Sequence, residues 1–144
     1  MKRRHFLTMM GATVAAGVTQ GGCSSADEPA SGGIPVAGTN VRDVPVGFLG
    51  STGVRTLLGR DAGGLYAMTS VCTHNQCDLV RFGTISETGL SCMCHGSGFS
   101  RTGEAIKGPA FMPLKHFRVD VAADGSITID ANTVIDAAVR TAVP

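Results

Sequence analysis

Short runs in which apolar and polar residues alternate are the main pattern in this chain. The clearest run covers residues 116–121 and is followed, after the dipeptide Asp124-Gly125, by a second alternating run over 126–130. Alternation with period two is typical of half-buried β-strands, and Asp-Gly between two such runs is a strong turn signal. The pattern therefore predicts an antiparallel hairpin near the end of the chain.

Three further segments are predicted to be strands: residues 44–49, 54–58 and 65–71. The last two are separated by a glycine-rich segment, 59–64, which indicates a chain reversal. A sustained helical stripe is not found, and only a short turn is expected over 135–143. The predicted fold class is therefore an antiparallel all-β domain.

Composition and charge indicate the number of domains and argue against one class of partner. The chain has 144 residues with 20 Gly and no Trp, and charged residues make up 16%, which is typical of one globular, turn-rich domain. Lys2, Arg3 and Arg4 account for three of the 12 basic residues, so the remainder has nine basic against 11 acidic residues. This near-neutral remainder gives no support for a nucleic-acid partner.

The N-terminal segment, residues 1–23, resembles a twin-arginine (Tat) export signal. Arg3 and Arg4 precede Phe6, and the chain from residue 6 to 18 is uncharged but diluted by Gly, Ala and Thr. A membrane-spanning helix needs about 20 predominantly apolar residues, so this segment is a weak span. The resemblance implies export after folding around a cofactor, with a cytosolic basic tail as the alternative.

Cys23 ends this segment and resembles the lipidated cysteine of bacterial lipoproteins. Gln20 stands where an aliphatic residue is usual, so lipidation and loss of Cys23 with the signal both stay open. Residues 24–39 are rich in Ser, Gly, Pro and Ala and are predicted to be a flexible linker. The folded domain is predicted over 40–144, in the periplasm or attached to the outer face of a membrane.

Two short segments carry the chemistry of the chain. Cys72 and His74 form a C-x-H pair, and Cys92 and His95 form a C-x-x-H pair, with one strand-turn-strand segment between them. Two cysteines and two histidines that converge from adjacent loops can bind a binuclear iron-sulfur cluster, with the cysteines on one iron and the histidines on the other. The same four side chains also suit a tetrahedral zinc ion.

The two segments and their surroundings resemble the Rieske 2Fe-2S protein family, in its exported, disulfide-containing form. Residues 61–68 are similar to the strand before the first ligand pair, 102–110 to the stretch after the second pair, and 113–129 to the closing hairpin. The resemblance implies stacked antiparallel sheets that carry a small cluster-binding subdomain. It also implies that Gly108-Pro109-Ala110 is a loop that covers the cluster.

The resemblance assigns roles to further residues. Cys77 and Cys94 would form a disulfide between the two loops, and the Ser97 hydroxyl would bind a bridging sulfide of the cluster. The free ring nitrogens of His74 and His95 would face solvent or a partner. A competing interpretation pairs the four motif cysteines in two disulfides, which leaves the histidines unexplained.

Other histidines and methionines near these segments are expected to have structural roles. His5 belongs to the export segment, and His116 lies in an alternating run without a neighbouring cysteine. For Met68, Met93 and Met112 we expect packing in the core or over the site.

The expected function is one-electron transfer through a Rieske-type 2Fe-2S cluster by a periplasmic or membrane-attached carrier that has no substrate site of its own. The alternative is the Rieske subunit of a larger oxidoreductase, either a quinol-oxidising cytochrome bc-type complex or an arsenite-oxidase-like molybdenum enzyme. Asn75 and Gln76 stand where the quinol-oxidising subunits usually have Leu-Gly. Expected partners are therefore redox proteins such as a cytochrome, a quinol-oxidising complex or a molybdenum enzyme, together with a membrane if Cys23 is lipidated.

Overall fold

The computed structural model describes residues 33–53 and 55–143, so the predictions for the export segment and for Cys23 lie outside the described residues. This part contains ten strands, one short 3-10 helix over Val41–Asp43 and one four-residue helix, α1, over Leu79–Phe82. The strands are β1 Ile34–Asn40, β2 Leu49–Ser51, β3 Thr56–Asp61, β4 Gly64–Thr69, β5 Gly83–Ser86, β6 Gly89–Cys92, β7 Gly98–Phe99, β8 Ala105–Lys107, β9 His116–Val121 and β10 Ser126–Ile135. The all-β fold class is confirmed.

The strands form two antiparallel sheets of different size. The larger sheet has six strands in the order β1-β10-β9-β4-β3-β2, and the smaller has four in the order β5-β6-β7-β8. Consecutive strands are neighbours throughout the smaller sheet, which is inserted between β4 and β9 of the larger one. The predicted small subdomain is this four-stranded insertion.

The larger sheet is buried on both faces at β3 and β4, and so it contributes to two cores. Leu57 and Met68 pack with Leu90 and Phe99 of the smaller sheet. The intervening side chains of β3 and β4 point to the other face and join residues of β9 and β10 in a second cluster, which contains Leu58, Leu65, Ala67, Phe117, Val119, Ile127 and Ile129. Because successive side chains of a strand point to opposite faces, one strand pair supplies both cores.

Two predicted strands are shifted or absent. Residues 44–49 were predicted to be extended, but Phe48 N–H donates to the Pro45 carbonyl in a turn, and β2 begins only at Leu49. Gly47 has φ +90° within this turn, which ends the extended run. The strand predicted over 54–58 begins at Thr56 because Arg55 adopts a left-handed backbone, with φ +51°. The reversal predicted over 59–64 is confined to Ala62 and Gly63.

The C-terminal hairpin is confirmed, but the segment after it differs from the prediction. Strands β9 and β10 pair from Ile127 with Val121 to Ile135 with His116. The short turn predicted over 135–143 is limited to residues 136–139, where the Val139 N–H donates to the Asp136 carbonyl at 3.1 Å, because β10 extends to Ile135 and the chain then returns to the sheet. Thr141 forms a bridge with Leu65, and its backbone N–H and carbonyl both bond to that residue at 2.9 Å.

The folded part begins earlier than the predicted boundary at residue 40. Strand β1 occupies Ile34–Asn40 and pairs with β10, with Ile34 opposite Ile129 and Asn40 opposite Ser126. The last six residues of the predicted 24–39 linker are therefore part of the larger sheet. This edge strand, which pairs with an irregular register, was not predicted because the segment is composed mainly of Pro, Val, Ala and Gly.

Arg101 joins the two sheets through backbone carbonyls. One of its guanidinium nitrogens donates to the Ser86 carbonyl at 2.6 Å, and the other donates to the Gly47 carbonyl. The Arg101 carbonyl accepts the Tyr66 hydroxyl at 3.0 Å. One residue thus holds the β5-β6 hairpin of the smaller sheet against the larger one. Among the described residues, no helix has the length and apolar character to cross a membrane.

We expect Gly89→Ala to destabilise the smaller sheet strongly. Gly89 has φ +146°, and a Cβ atom there would lie 2.3 Å from the Phe99 carbonyl oxygen, so backbone strain and a backbone clash combine. The expected loss in free energy of unfolding is about 2 to 4 kcal/mol, measured by urea denaturation.

Gly38→Ala is the matched control for this change. Gly38 has φ +72°, but a Cβ atom there has no neighbour within 4 Å among the described residues, so only the backbone cost of about 1 kcal/mol remains. Equal losses in the two variants would contradict the clash described for Gly89.

Candidate metal centre

The two ligand-bearing loops have the same backbone geometry. In the first loop, Cys72 N–H donates to the Cys77 carbonyl at 2.8 Å, and Gln76 N–H donates to the Cys72 carbonyl at 2.9 Å. The second loop repeats this pattern at the same spacing, from Cys92 N–H to the Ser97 carbonyl and from Gly96 N–H to the Cys92 carbonyl, at the same two distances. The loops are therefore two copies of one turn, each beginning with a buried cysteine.

The fifth position of both turns has a left-handed backbone. Gly96 has φ +83°, as glycine readily adopts, whereas Gln76 holds the equivalent position with φ +57°. The Arg55 guanidinium donates to the Gln76 carbonyl at 3.4 Å, and so the residue that precedes β3 supports this left-handed residue. Only the glycine could be recognised in the sequence as a left-handed residue.

Cys72 and Cys92 lie at the inner side of the site, each 1% exposed. Burial raises the pKa of the Cys92 thiol, and the neighbouring Cys72 thiol raises it further. The backbone N–H groups of Cys94 and His95 are directed to the Cys92 sulfur and lower its pKa, because they favour the thiolate. A metal that replaces the thiol protons would find two adjacent thiolates with backbone donors already in place.

His74 and His95 lie at the outer side of the site. Both are exposed, and their ring centroids are 4.8 Å apart with the rings at 74° to each other. The four predicted ligands are thus separated into a buried pair of sulfurs and an exposed pair of imidazoles.

Cys77 and Cys94 form a disulfide that links the two loops, with Cα atoms 6.7 Å apart. This pairing confirms the one implied by the resemblance. The sulfurs of Cys77, Cys92 and Cys94 lie within 4.8 Å of one another, a spacing that could suggest a three-cysteine metal site. Two of these sulfurs are consumed by the disulfide, so they offer no thiolate to a metal.

A third loop covers the site, as the resemblance implied for Gly108-Pro109-Ala110. The buried Ser97 hydroxyl oxygen accepts the Ala110 N–H at 3.0 Å, so its own proton remains available to an acceptor such as a sulfide. The Thr73 hydroxyl donates to the Met112 carbonyl at 2.7 Å, which fixes the third loop to the first ligand loop. The hydrogen bond from Ala110 to Ser97 was not visible in the sequence.

The predictions for His116 and for the three methionines near the site are confirmed only in part. His116 is 2% exposed, and its Nε2 donates to the Thr102 carbonyl at 2.9 Å, so a packed structural role is confirmed. Burial lowers the pKa of His116, because the charged form loses its solvation. Met68 is fully buried, as expected, but Met93 and Met112 are 73% and 54% exposed and do not pack in the core.

The donor set fits a metal group with two sulfur and two nitrogen ligands on opposite sides. A binuclear cluster with two cysteines on one iron and two histidines on the other has this separation. A single tetrahedral zinc ion could use the same four side chains.

A family model described as the Rieske [2Fe-2S] domain matches residues 36–118, more than half of the chain. The chain belongs to the Rieske family. A Rieske domain implies a 2Fe-2S cluster, so this cluster, and not zinc, is the cofactor. The matched range includes all four predicted ligands, both disulfide cysteines and Ser97.

Known relatives of this Rieske chain include subunits of larger assemblies. The chain is 38% identical over 77 residues to the cytochrome b6-f complex iron-sulfur subunit 1 of the Cyanophora paradoxa cyanelle, which covers 54% of this chain and 31% of that protein. It is 32% identical over 75 residues to the cytochrome b6-f complex iron-sulfur subunit of Chlorobaculum tepidum, covering 52% and 40%. The matched region thus spans about a third of the length of these relatives.

A similar solved structure is the plasma membrane Rieske protein PetC3 of Synechocystis PCC 6803. It is 27% identical, with a TM-score of 0.45, and the match covers 58% of this chain and 84% of that one. The ferredoxin of carbazole 1,9a-dioxygenase from Nocardioides aromaticivorans IC177 is 21% identical, with a TM-score of 0.48, covering 69% and 97%.

Replacement of any predicted ligand by alanine is expected to abolish the cluster. Cys72, His74, Cys92 and His95 would each supply one of four protein bonds, so the visible absorption and the reduced-state EPR signal should disappear in each variant. Asn75→Ala is the matched control, because Asn75 is exposed in the same loop and should leave both signals in place. Full signals in one ligand variant would remove that residue from the site.

Loss of the disulfide is expected to destabilise the protein and its cluster. The bridge closes a loop with a sequence separation of 17, for which the chain-entropy cost is about 3 kcal/mol. The variant Cys77→Ser with Cys94→Ser should therefore unfold at lower urea concentration and release iron faster. Two alkylatable thiols at positions 77 and 94 in the native protein would contradict the bridge.

Proposed function

We propose that this Rieske chain is an exported single-electron carrier, held in the periplasm or on the outer face of a membrane. Rieske-type electron transfer follows from the family, and its partners are redox proteins. The observation that supports the carrier role is the exposure of His74 and His95 beside each other, with the two cysteines buried behind them. Electrons can thus enter and leave at the imidazole side without a bound substrate.

The cluster, when bound, accepts one electron and returns it, and two neutral imidazoles in place of thiolates make its reduction easier than in four-cysteine ferredoxins. Cys72 and Cys92 would hold it from the buried side, and Ser97 would donate its free hydroxyl proton to a sulfide. His74 and His95 would hold it from the exposed side, and the second nitrogen of each ring could exchange a proton with solvent. The disulfide and the loop over 108–113 would keep these groups in place during electron transfer.

Export is supported by the disulfide and by the N-terminal sequence. Disulfides persist in oxidising compartments and are rare in the cytosol. Arg3 and Arg4 resemble a twin-arginine signal, which carries proteins that have folded around their cofactor. A lipid on Cys23 would attach the carrier to a membrane.

The second candidate is the Rieske subunit of a larger oxidoreductase. The observation that favours it is the similarity to the cytochrome b6-f iron-sulfur subunits, although the match covers only about a third of their length. The sequence of the first ligand loop argues against a subunit of a quinol-oxidising complex. Asn75 and the left-handed Gln76 stand where such subunits usually have Leu-Gly. An arsenite-oxidase-like molybdenum enzyme is the other assembly of this class.

Expression of the full chain in a bacterium with a twin-arginine pathway tests the proposal. We expect the cluster-containing protein outside the cytoplasm, and Arg3→Lys with Arg4→Lys should block its export, because the pathway recognises the arginine pair. Lys2→Gln removes a charge beside the pair and is the control that should still be exported. Cys23→Ser should release the protein from membranes only if Cys23 is lipidated.

Purification from the natural host separates the two candidates. A carrier should be isolated without a stoichiometric partner and should be reduced and reoxidised by one electron in protein-film voltammetry. Recovery in a fixed ratio with a larger redox subunit would support the second candidate. A cluster-containing protein that remains in the cytoplasm would contradict the exported carrier.

A further inference from the structure

The ligand loops are uncharged, but the charged side chains around them are mainly basic. The segments 72–77, 92–97 and 108–113 contain no Asp, Glu, Lys or Arg. The exposed basic residues that border them are Arg55, Arg81, Lys107 and Lys115, which we call the basic rim. Within the part of the chain that the structure describes, none of the four has an acidic partner at salt-bridge distance.

Two members of the basic rim lie beside the ligand loops, one before β3 and one in α1. Arg55 donates to the carbonyl of Gln76 in the first loop. Arg81 lies over the ring of Phe82, 5.6 Å from its centroid, and the Phe82 carbonyl accepts the N–H of Met93 in the second loop at 2.8 Å.

The other two members border the loop over 108–113. Lys107 precedes this loop and pairs with Gly98, which follows the second ligand loop. Lys115 lines an open apolar groove of about 450 Å³ together with Thr73 of the first loop and Met112.

The acidic residues nearby are engaged with the chain itself. The carboxylate of Asp78 accepts the Ser70 hydroxyl at 2.9 Å and the Val80 N–H at 3.0 Å. Asp136, next to residues that line the groove beside Lys115, accepts the Ala138 N–H at 2.7 Å. These hydrogen bonds leave both carboxylates charged, but the four cations of the rim outnumber the two anions beside it, and none of the four is in a salt bridge among the described residues.

Inside the basic rim the surface is strongly apolar. Phe111 is 86% exposed, Met93 is 73% exposed and Met112 is 54% exposed, and all three lie on the ligand loops or the loop that covers them. Large apolar side chains that cluster in an exposed position usually mark an interaction site. The face therefore has two exposed imidazoles, an apolar surround and a positive border.

We propose that this face docks an electron-transfer protein whose own docking surface has an apolar centre and a rim of carboxylates. The proposal rests on the proposed carrier function and names the chemistry of its partner. The apolar side chains would exclude water between the two redox centres, and the unpaired cations would attract the partner and accelerate the encounter.

The other occupants of such a face fit less well. A second copy of this chain would bring two positive rims together, which is repulsive. An anionic membrane would suit the basic and apolar residues, but it would cover His74 and His95 with lipid that accepts no electrons. A carboxylate-rimmed redox protein matches the charges, the apolar side chains and the imidazoles.

The test uses the full, cluster-loaded chain and two inorganic redox probes of opposite charge. Stopped-flow oxidation of the reduced protein by ferricyanide, an anion, should accelerate as ionic strength falls from about 1 M to about 0.01 M, where the Debye length grows from about 3 to about 30 Å. Oxidation by the cation tris(phenanthroline)cobalt(III) should slow over the same range. Rates that do not depend on ionic strength would overturn the proposal.

Charge-reversal variants show which residues cause the dependence of the rates on ionic strength. Arg81→Glu with Lys107→Glu should lower the low-salt rate with ferricyanide by about tenfold or more and raise the rate with the cobalt complex. The matched control is Arg42→Glu, compared with Arg81→Glu alone, because both are exposed arginines that form no salt bridge among the described residues and both changes alter the net charge equally. An equal effect in the control would assign the result to net charge and overturn the proposal.

Two measurements that need no electron transfer complete the test. Hexacyanochromate(III), a redox-inert paramagnetic anion, should broaden NMR signals around Lys107 and Lys115 and leave those around Arg42 sharp. Vesicles of phosphatidylcholine with phosphatidylglycerol should not retain the protein through the basic rim. Vesicle binding lost in the rim variant, together with unchanged ferricyanide rates, would identify a membrane surface instead.

Failure of the carrier function has a different outcome from failure of this inference. A protein that cannot be reduced and reoxidised by one electron contradicts the proposed function. A protein that is reversibly reduced, but that reacts with both probes without regard to their charge, contradicts only the carboxylate-rimmed partner.

Discussion

The site depends on a fixed separation between two copies of one turn. Each turn begins with a buried cysteine, closes through the same two backbone hydrogen bonds and has a left-handed residue at its fifth position. The bond between Cys77 and Cys94 joins the copies, so the distance between their ligands does not depend on the metal alone. Sulfurs on the inner side and imidazoles on the outer side follow from where each ligand stands in its turn.

The larger sheet supplies the rigid base for these turns. Strands β3 and β4 are buried on both faces, and Leu57 and Leu58 illustrate how neighbouring residues serve different cores. One face of this strand pair holds the smaller sheet, and the other closes against β9 and β10. Arg101 adds a polar connection where the two sheets meet. A change in the packing of either core would therefore displace β4, and with it the first ligand loop, which begins at Cys72 soon after β4 ends.

Local patterns predicted what depends on local chemistry and missed what depends on tertiary context. The hairpin at Asp124-Gly125 and the two ligand pairs were readable because the turn dipeptide and the metal-ligand spacing are short-range signals. Strand β1 was missed, since an edge strand is stabilised by its pairing with β10 more than by its own composition. The left-handed backbone of Gln76 was also missed, because no glycine marks it and the guanidinium that supports it belongs to Arg55, 21 residues earlier in the chain. The disulfide pairing followed from the family resemblance, and the structure confirms it.

The position of β1 has a mechanical consequence for a chain that hangs from an anchor. A pull on the chain upstream of Ile34 acts first on β1, which is bonded to β10, and in the strand order of the sheet the load passes through β10 and β9 before it reaches β4. The smaller sheet, which is inserted between β4 and β9, is not part of this path. If the chain is anchored at Cys23, as proposed, tension on the anchor therefore acts on the larger sheet before it acts on the ligand loops.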